Sequence, residues 1–146
     1  MKEIRKPGCS FFVDYEANAA YNTAKTVEKT PYVRNCTTQM RFYSPELNEF
    51  FDDFAIDIVK PESITWEVLD DGIRYETKYL CRGSMTADSY EHYVRKVRLG
   101  ARPLEDGLLE LSMSNLVLSC VVMELRKPAE PAPAGILGKL KSRLKK

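Results

Sequence analysis

The stretch that decides the fold runs over residues 92–125, HYVRKVRLGARPLEDGLLELSMSNLVLSCVVMEL. Tyr93, Arg95, Val97 and Leu99 alternate there with Val94, Lys96 and Arg98, so one side is mostly apolar and the other mostly basic. A period of two is what a half-buried strand produces. Arg102-Pro103-Leu104-Glu105-Asp106-Gly107 follows and reads as a loop, with a proline and then an Asp-Gly step. Leu109, Leu111 and Met113 next alternate with Glu110, Ser112 and Ser114. Asparagine tolerates a positive φ, so Ser114-Asn115 is expected to make a tight hairpin turn. Residues 116–122 then resume as a strand covered on both faces. The apolar runs are short, turn-bounded and rich in valine, which is β and not helix.

Upstream, residues 32–43 contain Val33, Met40, Phe42 and Tyr43 among polar neighbours and read as an edge strand. Ser44-Pro45-Glu46 opens like a helix, with serine as N-cap, proline in the first turn and an acid behind it. Phe54, Ile56 and Ile58 alternate with Ala55, Asp57 and Val59, giving a strand, and Lys60-Pro61-Glu62-Ser63 turns the chain. Ile64, Trp66 and Val68 then alternate with Thr65 and Glu67 up to the hairpin signal Asp70-Asp71-Gly72. Ile73, Tyr75 and Thr77 form the return strand, and Tyr79-Leu80-Cys81-Arg82-Gly83 is one more short strand. Many short strands at close spacing predict an all-β fold, an antiparallel immunoglobulin-like β-sandwich. Residues 1–31 make an N-terminal arm with a short helix near Glu16 to Tyr21, mobile or docked on a partner subunit. Residues 32–127 make the sandwich, and residues 128–146 a Pro/Ala linker and a basic amphipathic tail.

The chain has 146 residues and a formal net charge of +1, which hides an asymmetry. Residues 126–146 carry seven Lys/Arg against one Glu, whereas the body before them has 15 Lys/Arg against 20 Asp/Glu. An acidic body with a basic tail implies different partners at the two ends. Cys9, Cys36, Cys81 and Cys120 are scattered and form no metal-ligand spacing. With no signal-peptide pattern at the start, reduced thiols and a cytoplasmic location are expected. The Asn35-Cys36-Thr37 sequon then carries no glycan.

Catalysis needs convergent titratable groups. The single histidine, His92, stands beside a strand, and Asp52, Asp53, Asp57, Asp70 and Asp71 are scattered acids. No phosphate loop, GxSxG or HExxH occurs. No enzyme, metal or cofactor is expected. Arg95, Lys96 and Arg98 suggest a basic face, but an acidic body opposes binding to nucleic acid.

The order of these segments resembles the small heat-shock proteins, in their bacterial inclusion-body-binding form, whose shared element is the α-crystallin domain. Asp53 to Val59, followed by Lys60-Pro61-Glu62-Ser63-Ile64 and the Asp70-Asp71-Gly72-Ile73 hairpin, is similar to the family's first strands. Tyr79-Leu80-Cys81-Arg82-Gly83 resembles its Tyr-Leu-x-x-Gly segment, and Tyr93-Val94-Arg95-Lys96-Val97-Arg98-Leu99 its F-x-R-x-F-x-L strand. Leu111-Ser112-Met113-Ser114-Asn115-Leu116-Val117-Leu118 lies where the family has A-x-x-x-N-G-V-L.

That resemblance implies an ATP-independent holdase chaperone that binds partly unfolded clients through apolar surfaces and assembles into a homo-oligomer. Phe11, Phe12 and Tyr15 are then the expected client contacts. Val117, Leu118 and Val121 would form a groove that accepts the tail, and Ile136, Leu137 and Leu140 would drive oligomerisation. The amphipathic tail, with its leucines on one helical face and its basic residues largely elsewhere, also suits an anionic membrane surface. Two other readings stand beside it: a structural or adaptor β-sandwich within a viral or other large assembly, anchored by its basic tail, and a p23-like co-chaperone.

Overall fold

The computed structural model describes residues 1–125. Strands β1 (Lys2–Lys6) and β2 (Cys9–Val13) form a hairpin, followed by helices α1 (Tyr15–Ala24), α2 (Pro31–Tyr43) and α3 (Pro45–Asp53). Strands β3 (Ser63–Leu69), β4 (Gly72–Met85), β5 (Tyr90–Val94), β6 (Val97–Pro103) and β7 (Leu108–Leu118) follow, with a 3-10 turn at Met123–Leu125 at the end of the described residues. All seven strands belong to one antiparallel sheet, in the order β1-β2-β4-β7-β6-β5, with β3 also paired to β4. The 14-residue β4 is its spine. One edge of β4 runs along β7; the other is shared end to end by β3 and β2.

The alternation along β4 explains the layering. Ile73, Tyr75, Thr77, Tyr79 and Cys81 are buried, while Arg74, Glu76, Lys78 and Arg82 face solvent. The buried side packs on Met40 of α2 and on Leu47, Phe50 and Phe51 of α3, together with Phe54, Ile56 and Ile58. A helical layer therefore covers this side of the sheet, and the described strands form one sheet. The outer side carries cross-strand ion pairs, Arg74–Glu67, Arg98–Glu91 and Arg102–Glu110. Exposed pairs of this kind contribute little, on the order of 0–1 kcal/mol each.

Several local expectations are corrected. Residues 32–43 are helix α2 and not a strand, because Val33, Cys36 and Met40 fall on one helical face, with Pro31 in the first turn. Phe54 to Val59 form no strand. Ser44 caps α3 as expected, its side chain accepting from the Glu46 N–H, and the far end closes with Ala55 at φ 59 and an Ile56 N–H to Phe51 carbonyl bond of 3.0 Å. This left-handed close reverses the chain and buries Ile56 and Ile58.

Tyr93 to Leu99 is likewise two strands, since Val94 pairs with Val97 across a turn at Arg95, φ 58. Tyr79 to Gly83 is part of β4. Asn115 does have a positive φ of 61, but inside β7, where the β4 register shifts between Tyr75 and Thr77. It forms a bulge there, and the buried positions change phase from Leu109, Leu111 and Met113 to Leu116 and Leu118.

Residues 1–31 are no separate arm. β2 joins the sheet at β4, and a Cβ at Gly83 would stand 2.6 Å from the Phe12 carbonyl oxygen, so only glycine allows the two backbones to meet. The boundary after residue 31 falls within α2. Buried asparagines tie the helices to the chain around them. Asn18 of α1 donates to the Phe54 carbonyl and accepts the Arg82 N–H, and Asn22 accepts the Asp57 N–H.

Candidate functional site

Strand β3 is held by its turn. Leu69 pairs with Gly72 across Asp70-Asp71, and the ladder continues to Ser63 opposite Lys78. Ile64, Trp66 and Val68 lie opposite Thr77, Tyr75 and Ile73 and so share the helix-covered side of the sheet. Their partners on β4 are buried; they are not, with Trp66 40% and Val68 60% exposed. α2 reaches Trp66 through Tyr32, whose ring stacks on the indole.

The backbone of β3 is equally open. Among the described strands it pairs with β4 alone. In an antiparallel ladder the hydrogen-bonded pairs alternate, and a two-residue turn fixes their phase. Leu69, Glu67, Thr65 and Ser63 therefore direct their N–H and C=O groups to β4. Ile64, Trp66 and Val68 direct theirs to the free edge. The Glu62 N–H also bonds to the Lys78 carbonyl, at 2.7 Å, so the alternation begins at Ser63 and is interrupted just before it. Edge strands usually carry charge, proline or a bulge that deters pairing. β1 does, with Lys2, Glu3, Arg5 and Lys6; β3 has the single charge of Glu67.

The edge rests on a firm base. Glu62 accepts from Lys25 Nζ at 2.8 Å and from the Tyr21 hydroxyl. Desolvation alone would raise its pKa, but these bonds and the Lys25 charge hold the carboxyl below its ordinary value. Tyr75 donates to the Tyr32 carbonyl at 2.7 Å, and burial pushes its phenol well above the usual range. Asn35 of α2 donates to the Ser119 carbonyl at 2.9 Å and accepts from the N–H groups of Val121 and Val122. Beside them a cleft of about 270 Å³ lies between Tyr32, Val68, Leu69, Ile73 and Leu125, with Asp70 and Asp71 on its rim.

A second cleft, of about 360 Å³, separates α3 from β5. Phe50, Tyr90, Val94 and Leu99 give it an apolar floor, and Glu46, Glu49, Asp53, Glu91 and His92 an acidic rim. Two of those acids are already paired, Asp53 with Lys6 and Glu91 with Arg98. No three His, Cys, Asp or Glu side chains among the described residues are grouped as metal ligands. Cys9, Cys36, Cys81 and Cys120 form no disulfide. No described helix is long and apolar enough to cross a membrane.

The residues singled out from the sequence scatter. Phe11 is fully buried, edge-on to Phe54 and Tyr90, and cannot meet a client without unfolding. Phe12 and Tyr15 are exposed, with Lys2 Nζ 4.6 Å above the Tyr15 ring. Val117 and Leu118 point to opposite sides of β7, one exposed and one buried, so they do not line a common groove with Val121. Ile136, Leu137 and Leu140 lie outside the described residues. Trp66 and Val68 were missed as a site: their alternation was legible, the absence of a cover was not. Against protein-family models, curated proteins and solved structures alike, the chain finds no match.

Proposed function

We propose that this chain is a non-enzymatic adaptor that takes up an extended polypeptide strand at β3. One observation carries the reading: Ile64, Trp66 and Val68 direct their N–H and C=O groups to an edge that no described strand pairs with, beside the exposed apolar side chains of Trp66 and Val68. Strand addition uses those two elements together, main-chain bonds for affinity and alternate side chains for selection. The seven Lys/Arg of residues 126–146 supply the anchor of such an adaptor.

The holdase reading is the second one, favoured by the separate exposed side chains Phe12, Tyr15, Phe42 and Tyr93. The sandwich that accompanies it in the α-crystallin domain would need the side of the sheet that α2 and α3 occupy, which is why the adaptor reading comes first. A photo-crosslinker at position 68 separates the two. The adaptor gives one adduct of defined mass, lost with Trp66→Lys, and no protection of a heat-labile client. Suppression of client aggregation without ATP, with adducts of many masses, would replace it by the holdase.

A further inference from the structure

We infer that the strand β3 accepts is β3 of a second copy, antiparallel, with the twofold axis through Trp66. The inference rests on the strand-addition reading and names its partner. The sequence Ser63-Ile64-Thr65-Trp66-Glu67-Val68-Leu69 is self-complementary about its centre. Ile64 then faces Val68 of the other copy, Thr65 faces Glu67, Ser63 faces Leu69, and the two Trp66 residues face each other.

Three independent features agree on this register. The outward-facing backbone groups belong to Ile64, Trp66 and Val68, so an axis at Trp66 makes 66–66 and both 64–68 pairs hydrogen-bonded, and no outward group of the strand is left over. The charges agree as well: Glu67 meets the Thr65 hydroxyl, whereas an axis at Glu67 would oppose two carboxylates directly, which is destabilising. An axis at Thr65 or Glu67 would also shorten the ladder, leaving Val68 and Leu69, or Ser63 and Ile64, outside it.

The faces match too. A twofold axis perpendicular to the sheet keeps both helical layers on the same side, so the exposed Trp66 and Val68 of one copy meet Trp66 and Ile64 of the other. β5 is a poorer candidate for the same pairing. Its strand is shorter, and the outward groups there belong to Glu91, already paired with Arg98, and to Tyr93.

The test uses the full chain with Cys120→Ser, so that the introduced thiols are the accessible ones. Sedimentation is expected to give twice the 16.7 kDa of one chain, and Val68→Lys to weaken the dimer by at least about tenfold while keeping the native circular dichroism. Thr65→Cys mixed with Glu67→Cys is expected to form an intermolecular disulfide under mild oxidation, faster than either variant alone. A wild-type chain that stays monomeric at high micromolar concentration overturns the inference, as does a dimer indifferent to Val68→Lys. In either case the synthetic peptide SITWEVL decides what remains. Protection of the Ile64, Trp66 and Val68 amides from exchange on adding the peptide keeps strand addition with a different partner; no protection removes that reading too.

Discussion

The ring of Tyr32 lies on the indole of Trp66 with centroids 5.0 Å apart and planes 13° from parallel. This contact ties the first turn of α2 to the middle of a strand whose Trp66 and Val68 the described residues leave exposed. Tyr32→Ala is expected to cost about 0.5–1.5 kcal/mol beyond the area lost, while Tyr32→Phe keeps the stack. Trp66 is the single tryptophan, so intrinsic fluorescence reads this place alone. Tyr32→Ala should shift emission to the red and raise acrylamide quenching. An unchanged spectrum would mean that the stack does not set the indole's surroundings.

Asn35 fastens the segment after β7 to the helical layer. It is fully buried, and its amide oxygen accepts from Val121 at 2.7 Å and Val122 at 3.2 Å. Asn35→Ala leaves those N–H groups without this acceptor, whereas the Ser119 carbonyl keeps Gln39. The expected loss is roughly 2–4 kcal/mol, seen in the urea midpoint. Amide exchange should speed up first at Val121 and Val122. Uniform acceleration across β4 would point to general loosening of the core.

The backbone at Asn115 demands a residue that tolerates a positive φ. At φ 61 it carries the bulge, accepts from Arg74 Nε at 3.1 Å and donates to the Lys96 carbonyl at 3.0 Å. Asn115→Gly keeps the conformation and loses only two exposed bonds, so it should cost less than about 1.5 kcal/mol. Asn115→Val forces a β-branched residue into the left-handed region, at roughly 1–3 kcal/mol. Equal midpoints for the two variants in urea would remove the bulge from the account.

What could be read beforehand was what local chemistry dictates. Ser44-Pro45 set the start of α3 and Asp70-Asp71-Gly72 the β3–β4 hairpin, because a cap and a tight turn need only their own residues. α2 was hidden because Val33, Met40, Phe42 and Tyr43 also suit a strand, and only Cys36 completes its helical face. The β5–β6 turn was hidden because Arg95 adopts φ 58 without the glycine or asparagine that usually marks it. Taking Asn115 for a hairpin followed from the right conformation in the wrong setting. The candidate edge was half legible: alternation identifies which side chains share a face, but what covers that face is settled by distant segments.

Alkaline pH should weaken this fold in a defined order. Burial pushes the thiols of Cys36 and Cys81 up from 9.0 to about 12, that of Cys81 against a lowering bond from Asn18. Burial also raises the phenols of Tyr75 and Tyr79 far above their ordinary value. A raised pKa means that the unfolded chain loses its proton first. The stability these groups contribute is therefore complete below about pH 9 and falls as pH rises toward about 12, by up to ~1.4 kcal/mol per pH unit for each titrating group. The urea midpoint should hold level to about pH 8.5 and then fall with increasing slope, the tyrosines joining the thiols above about pH 10. Cys36→Ala lowers the midpoint throughout, through lost packing, yet its decline between about pH 9 and 11 should be shallower than that of the unsubstituted chain. Parallel declines would show that the Cys36 thiol ionises alike folded and unfolded, and that the space beneath α2 admits water.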